Sequence, residues 1–217
     1  MSRPLSQSTH MIFIPYRLPD GAEARGYAPW LRKVDNPFFN AIPGIHHYAN
    51  WRIGQMLRGT APGWDWFDFK GLTTEADLER VWFSPDLDAF RRKWLELWGY
   101  GAGGLAERPA YLRYSYLFRR THASGVEPDR EAVVSFGRGA PPVAADLVWE
   151  RAGYLPKPFA ADTPRDPATP WLLETVTPDP LGLDWIAVGS TDTGAGDFSF
   201  AGVEIAAPDH FEEQEFP

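Results

Sequence analysis

Ile45-His46-His47-Tyr48-Ala49-Asn50-Trp51-Arg52 is the most informative segment of the sequence. Its residues alternate in character along the chain, which is typical of a β-strand with one face turned toward a core. Successive strand residues point to opposite faces. The more apolar set is Ile45, His47, Ala49 and Trp51, and the more polar set is His46, Tyr48, Asn50 and Arg52. We expect the apolar set to face helices and the polar set to face the interior of a barrel, provided that no bulge shifts the register.

The neighbouring segments alternate between strand and helix patterns. Apolar runs of strand length occur at 10–17, 64–69 and 111–118, and helical patterns occur at 27–34, with a further turn at 38–42, and at 84–98. Together with 45–52 they give the order β-α-β-β-α-β, the ferredoxin-like pattern, in which two helices cover one face of a four-stranded antiparallel sheet. The uncovered face is rich in aromatic residues, so a second sheet is expected against it.

The second of these helices has the clearest boundaries. Ser84-Pro85-Asp86 combines an N-cap residue, a proline at the first helical position and a favourable first-turn charge. Gly99 is a typical stop signal. The apolar residues between them recur at helical spacing on one face: Leu87, Phe90, Trp94, Leu97 and Trp98.

The second half of the chain is a weaker repeat of the first. Strands are predicted at 131–137, 171–176, 184–189 and 198–206, with a short helix at 142–153, and a second helix is missing. The chain therefore either closes its own pseudo-twofold barrel or extends a barrel that a homodimer forms. The predicted units are 8–122, a ferredoxin-like α+β unit; 123–210, a degenerate second unit or an extension packed on the first; and 211–217, an acidic tail.

Composition excludes several classes of function. Cysteine is absent from the 217 residues, which rules out thiol nucleophiles, disulfides and thiolate metal sites. The net charge of −8 argues against nucleic acid as a partner, because phosphate binding needs a basic face. No apolar run reaches membrane-spanning length, and the N-terminus lacks the apolar core of a secretory signal. These features predict a cytoplasmic protein without a membrane partner.

Residues 35–48, Asp-Asn-Pro-Phe-Phe-Asn-Ala-Ile-Pro-Gly-Ile-His-His-Tyr, resemble the EthD-like and REDY-like members of the dimeric α+β barrel superfamily. The resemblance extends over about 10–120 and is most specific at Pro43-Gly44-Ile45 and Tyr48. It implies a barrel interior that binds a small aromatic or polyketide-like compound, and enzymes that include cofactor-free oxygenases, cyclases, dehydratases and isomerases. Asp35 and Asn36 stand where many EthD-like chains have a histidine.

The polar face of 45–52 supplies the candidate catalytic residues. His46 is predicted to act as general acid or base, since imidazole titrates near neutral pH. Tyr48 and Asn50 are predicted to polarise a substrate oxygen, and Asp65 is predicted to orient the histidine. Strand 64–69 presents either Asp65, Phe67 and Phe69 or Trp64, Trp66 and Asp68 to the interior, and the pattern leaves both choices open.

Aromatic residues on the strands are the candidate walls of the substrate pocket. The predicted substrate-binding residues are Tyr16, His47, Trp51, Trp64, Trp66, Phe67, Arg113 and Tyr114. No histidine or carboxylate cluster has metal-ligand spacing, so neither a metal nor another cofactor is predicted.

The resulting prediction is a cofactor-independent lyase, cyclase or isomerase that uses acid–base chemistry on a small aromatic or polyketide-like compound. The alternatives are a non-catalytic binding protein for an aromatic metabolite and an accessory subunit of an oxygenase system.

Overall fold

The fold is a single closed β-barrel with a helical layer on one side. A computed structural model describes residues 3–99, 114–142, 144–156, 172–176 and 181–208. Its eight strands are all paired antiparallel with their neighbours. They are β1 (His10–Tyr16), β2 (Ile45–Arg58), β3 (Trp66–Leu72), β4 (Tyr114–Ala123), β5 (Glu131–Gly137), β6 (Leu147–Pro156), β7 (Trp185–Gly189) and β8 (Phe198–Ala206). Around the barrel the order is β1-β3-β2-β8-β5-β7-β6-β4.

The described helices all come before residue 100. They are α1 (Tyr27–Trp30), a π-helical segment (Leu31–Asp35), α2 (Asn36–Asn40), α3 (Leu78–Phe83) and α4 (Pro85–Trp98), with short 3-10 turns at Leu5–Gln7 and Glu75–Asp77. Their apolar side chains pack on the outer face of β1, β3 and β2, where they form two clusters separate from the barrel interior. Within the described residues, every helix is too short or too polar to cross a lipid bilayer.

The barrel interior is a packed core. Eight strands enclose a space that side chains alone can fill, and here aromatic rings from all around the barrel fill it. Phe13 lies at its centre, with ring centroids 5.4 Å from Trp64, 5.7 Å from Phe67 and 5.3 Å from Phe136. Its other large buried members are Trp51, Phe69, Tyr116, Phe118, Trp149, Tyr154 and Phe200.

The structure confirms a mixed α/β protein and resolves how its barrel closes. All eight strands of the closed barrel come from one chain, with β1 to β4 ending at Ala123 and β5 to β8 beginning at Glu131. The helix predicted at 84–98 is confirmed as α4, and the strands predicted at 131–137 and 198–206 are confirmed as β5 and β8. The predicted strand 171–176 is reduced to a single bridge between Leu173 and Tyr154 in its described part. The predicted acidic tail, 211–217, lies outside the described residues.

Two helix predictions need correction. The helix predicted at 142–153 is wrong, because 147–156 forms β6, whose residues pair with β4 on one side and β7 on the other. These tertiary pairings outweigh a short helical pattern. The gap between the helical pattern predicted at 27–34 and the further turn predicted at 38–42 is also wrong: the chain stays helical from 27 to 40, and Pro37 lies in the first turn of α2, where its missing N–H is harmless.

The prediction that the polar face of 45–52 lines the barrel interior is wrong. Tyr48 and Asn50 point outward to the helices, whereas Ala49 and Trp51 point inward. One reason is a register shift between Ile45 and His47, which places Ile45 on the same side as Tyr48. The other is that the interior of an eight-stranded barrel has room only for the large apolar set.

Candidate functional site

A buried polar cluster lies between the outer face of the barrel and the helices. The antiparallel register sets Tyr48 opposite Lys70 and Asn50 opposite Asp68 on β2 and β3. The π-helical segment brings Asp35 down onto the same patch, and all five side chains are buried. Asp35 and Asp68 are called the acid pair below. Asp35 comes from the π-helical segment and Asp68 from β3, and both side chains contact the same two residues, Tyr48 and Asn50.

Tyr48 and Asn50 bridge the acid pair. The Tyr48 hydroxyl lies 2.8 Å from Asp35 Oδ2 and 3.0 Å from Asp68 Oδ2. The Asn50 amide nitrogen lies 2.9 Å from Asp35 Oδ2 and 2.9 Å from Asp68 Oδ1. Each carboxyl group therefore contacts both bridging side chains at hydrogen-bonding distance.

Both contacts of the Tyr48 hydroxyl can be hydrogen bonds if the acid pair holds one proton. A tyrosine hydroxyl has one hydrogen and can donate it to only one acceptor. Tyr48 contacts two carboxyl oxygens, so both contacts become hydrogen bonds when one carboxyl group is protonated and donates to the tyrosine oxygen. One aspartate then remains an ionised acceptor while the other is a neutral acid.

Burial and mutual repulsion keep this proton on the pair near neutral pH. Burial, together with the Asp68 charge, raises the pKa of Asp35 from 3.8 to about 7. Burial also raises the pKa of Asp68 to about 6, against the opposing effects of Asn50, Tyr48 and Lys70. Burial and the acid pair raise the pKa of Tyr48 well above its ordinary value, so its hydroxyl stays protonated.

Two further groups of side chains hold the cluster in place. On one side, hydroxyl groups connect it to α4: Tyr16 contacts Asp68 Oδ1 at 3.2 Å, Tyr27 contacts Tyr16 at 3.2 Å, and the Trp94 indole nitrogen donates to Tyr27 at 3.3 Å. On the other side, Asn36 donates to the Tyr48 carbonyl oxygen at 2.9 Å and to Asn50 Oδ1 at 3.1 Å. The second contact fixes Asn50 with its amide hydrogens toward the acid pair.

Replacing Asn36 with alanine is expected to lower the free energy of unfolding by roughly 1–3 kcal/mol, since two buried acceptors lose a donor. Urea unfolding of Asn36→Ala measures this loss. Gln55→Ala, at an exposed position of β2, is the control and should leave stability within about 0.5 kcal/mol of the parent. An Asn36→Ala variant as stable as the control would contradict the role given to this amide.

A cavity of about 140 Å³ opens beside the acid pair. Its floor is formed by the polar cluster and its walls mainly by aromatic rings of α2, α3 and α4: Phe39, Trp82, Phe90 and Trp94. Lys70 and Arg91 also line it. Arg91 is held by Asp88 at 3.1 Å and by the Trp82 carbonyl oxygen at 2.8 Å.

The structure separates the four predicted catalytic residues. Tyr48 and Asn50 lie together in the polar cluster, as described above. His46 lies instead beside Arg3 and Thr73 in a shallow pocket, where burial and Arg3 lower its pKa. Asp65 is exposed just before β3. The predicted His46–Asp65 partnership therefore does not form.

The predicted substrate-binding residues fall into three places. Tyr16 lines the cavity, and Trp66 packs behind it with ring centroids 6.4 Å apart. His47 is buried at the barrel end, with Nδ1 donating to the Arg3 carbonyl oxygen at 2.6 Å. The members packed in or against the barrel interior are Trp51, Trp64, Phe67 and Tyr114. Arg113 lies outside the described residues.

Sequence reasoning missed Asp35, Asp68 and Lys70 as site residues. The available signal was Trp66-Phe67-Asp68-Phe69-Lys70, an apolar strand with two charged residues two positions apart. Charges on one face of a strand that is buried throughout are seldom tolerated without a partner or a function. In the described residues, no three or more His, Asp or Glu side chains are grouped so that they could hold a metal ion.

The fold and the site together define the class of protein. It is an antiparallel eight-stranded barrel, closed by one chain, with a buried acid pair beneath its helical layer. Residues 10–97 match the family model described as REDY-like protein HapK, and this match confirms, over that part of the chain, the resemblance noted from the sequence. The matched segment contains the acid pair, its bridging residues, Lys70 and α4 up to Leu97. Neither the curated proteins nor the solved structures include a match to this chain.

Proposed function

We propose that the protein is a cofactor-independent enzyme that moves protons with the Asp35–Asp68 acid pair. The observation that carries the proposal is the bridging of two buried carboxyl groups by one tyrosine hydroxyl, which favours one acid and one base side by side. General acid–base catalysis is most effective when the pKa of the catalytic group lies near the working pH. The pKa values of about 7 and about 6 meet that condition.

In this proposal each polar group has a distinct part. The ionised aspartate removes a proton from a carbon or oxygen of the substrate, and the neutral aspartate protonates the atom where negative charge develops. Tyr48 and Asn50 hold both carboxyl groups in place and donate to whichever carries the charge. Such paired transfers serve cyclisation, elimination and isomerisation. The acid pair thus takes the roles that the sequence had assigned to His46 and Asp65.

The cavity favours a substrate with one small ring. A cavity of about 150 Å³ is large enough to hold benzene, and this one measures about 140 Å³. Aromatic walls favour a planar, apolar body, while the polar floor favours an oxygen atom at one end. A small aromatic or polyketide-like compound fits this description, and its binding place is the space under the helices rather than the barrel interior.

We also propose that the barrel is a single-chain form of the dimeric α+β barrel, with units near 8–122 and 123–210. The strand order supports this proposal. The first unit reads β4-β1-β3-β2, which is 4-1-3-2, the order of a ferredoxin-like sheet, and the second reads β8-β5-β7-β6, which repeats it. The two junctions, β2 with β8 and β4 with β6, are equivalent under this relationship. The helical layer belongs to the first unit, and so does the proposed site.

Exchange of substrate C–H protons with deuterium tests the proposed activity. Compounds that copurify with the protein are identified by mass spectrometry, and their exchange in D₂O is followed by NMR, with acetophenone as a one-ring ketone probe. The parent protein should accelerate exchange, and Asp35→Asn should reduce the acceleration by about 10²–10⁴-fold. Asp20→Asn, at an exposed position, is the matched control and should retain full exchange.

Two results would overturn the proposal. One is undiminished exchange by Asp35→Asn. The other is binding of the compounds without any exchange, which would favour the alternative of a binding protein that carries the same molecules in the same cavity.

A further inference from the structure

Lys70 has surroundings that are unusual for a lysine. Only 1% of the residue is exposed, although its side chain extends from the middle of β3 toward the cavity. Its ammonium nitrogen lies 4.0 Å from the Phe39 ring centroid, 5.4 Å from that of Trp82 and 5.6 Å from that of Tyr48. Among the described residues, the ammonium nitrogen of Lys70 contacts aromatic rings and forms no ion pair with a carboxylate.

The rings exclude water from the amine while giving its charged form part of the stabilisation that water would supply. The charged and titratable groups that face it are Asp68 on its own strand, Asp35 from the π-helical segment, Tyr48 on β2 and Arg91 on α4. Burial and Arg91 lower the pKa of Lys70 to about 7, against the opposing effect of the two aspartates. A large fraction of the amine is therefore neutral, with its lone pair available, at physiological pH.

From this placement we infer that Lys70 is a catalytic nucleophile that forms an imine with an aldehyde or ketone substrate in the cavity. The inference deepens the proposed function and rests on it, because the acid pair supplies the proton transfers that imine formation needs. An amine desolvated in an apolar pocket beside another cation is an established route to an activated lysine. Lys70 and Arg91 reproduce that arrangement beside a proton donor and acceptor.

The covalent step balances with the groups present. Nζ attacks the carbonyl carbon, the carbonyl oxygen takes a proton from the neutral aspartate, and the nitrogen gives one proton back to the acid pair. The resulting hydroxyl group takes a second proton from the pair and leaves as water, and a C=N bond replaces the C=O bond. The positive charge of the iminium is matched by the negative charge left on the pair. This iminium acidifies the neighbouring C–H bond, from which an aspartate then removes a proton.

Reductive trapping tests the inference on the intact protein. Benzaldehyde, an aldehyde with one aromatic ring, is added at pH 7.5 with sodium cyanoborohydride, and peptide mass spectrometry locates each added benzyl group. The chain has four lysines: Lys33, Lys70, Lys93 and Lys157. Lys70 should be labelled at least about tenfold faster than the exposed Lys33 and Lys93, because a large fraction of the Lys70 amine is neutral at this pH.

The pH profile separates a reactive site from an accessible one. Labelling of Lys70 should reach half its maximum near pH 7, where its amine is half neutral. The Lys70→Met variant should lose the fast labelling and Lys93→Met should keep it. Labelling of Lys70 no faster than that of Lys33 and Lys93 would overturn the inference, and this comparison is made in the parent protein, whatever the stability of Lys70→Met.

The outcomes also separate this inference from the proposed function. Slow labelling of Lys70 in a protein whose deuterium exchange depends on Asp35 would leave the acid pair as the site and remove the imine. Fast labelling of Lys70 in a protein whose exchange is unaffected by Asp35→Asn would retain the reactive amine and remove the role of the acid pair.

Discussion

Phe13→Ala is expected to lower the free energy of unfolding by about 3–5 kcal/mol, because it leaves a cavity in the centre of the barrel. The Phe13 ring is fully buried, and its centroid lies 5.4 Å, 5.7 Å and 5.3 Å from those of Trp64, Phe67 and Phe136. Rings that interlock from several strands cannot collapse into the space without distorting the barrel. Chemical denaturation of the parent and the variant measures the loss.

The control for this prediction is Leu97→Ala, at a helix position whose residue is 40% exposed. It should cost less than about 1 kcal/mol, since much of the removed surface is already in water. A Phe13→Ala cost as small as that of the control would mean that the barrel interior is loosely filled. The barrel interior would then be a candidate binding site as well, and the cavity under the helices would no longer be the preferred one.

Asp35→Asn is expected to stabilise the protein at pH 8 by roughly 2–4 kcal/mol relative to the parent and to have little effect below pH 4. Both contacts to Asp35 reach the same oxygen, Oδ2, so the amide oxygen of the introduced asparagine can accept from Tyr48 and Asn50 in its place. The substitution therefore removes a buried negative charge that Asp68 repels, and it keeps the hydrogen bonds that Tyr48 and Asn50 make to this side chain. Urea unfolding at a series of pH values measures the difference.

The pH window follows from the direction of the pKa shift. Below about pH 4 Asp35 is protonated in both the folded and the unfolded protein, and the full stability is present. Between about pH 4 and pH 7 the unfolded chain releases this proton while the folded protein keeps it, so the parent loses stability as pH rises through this range. The amide in the Asp35→Asn variant does not titrate, so the free energy of unfolding of the variant does not fall for this reason as pH rises. An Asp35→Asn difference that is constant with pH would contradict the raised pKa of Asp35.

The sequence predicted the fold where local patterns and tertiary packing agree. The Ser84–Gly99 signals and the strands at 131–137 and 198–206 are local features, and they appear in the structure nearly as predicted. The segment 147–156 could not be assigned in the same way, because its strand conformation depends on partners in β4 and β7 that lie far away in sequence. Barrel closure by one chain depends on the same long-range pairings.

Part of the candidate site could be predicted from the sequence. Alternation along 45–52 placed Tyr48 and Asn50 on one face, and the structure keeps them there. The alternation does not say which face turns inward, and a register shift between Ile45 and His47 moves His46 away from them. Asp35 joins the site through the packing of a helical segment on the sheet, a contact that no spacing along the chain encodes.

Carbon-13 NMR of the aspartate carboxyl groups tests the central claim most directly. The protein is labelled at the aspartate side-chain carboxyl carbon, and the signals of Asp35 and Asp68 are assigned from the Asp35→Asn and Asp68→Asn variants. The account predicts that the two signals titrate together between about pH 5 and pH 8, around the pKa values of about 6 and about 7. Two independent titrations near pH 4, the range of solvent-exposed aspartates, would contradict a shared proton and with it the proposed site.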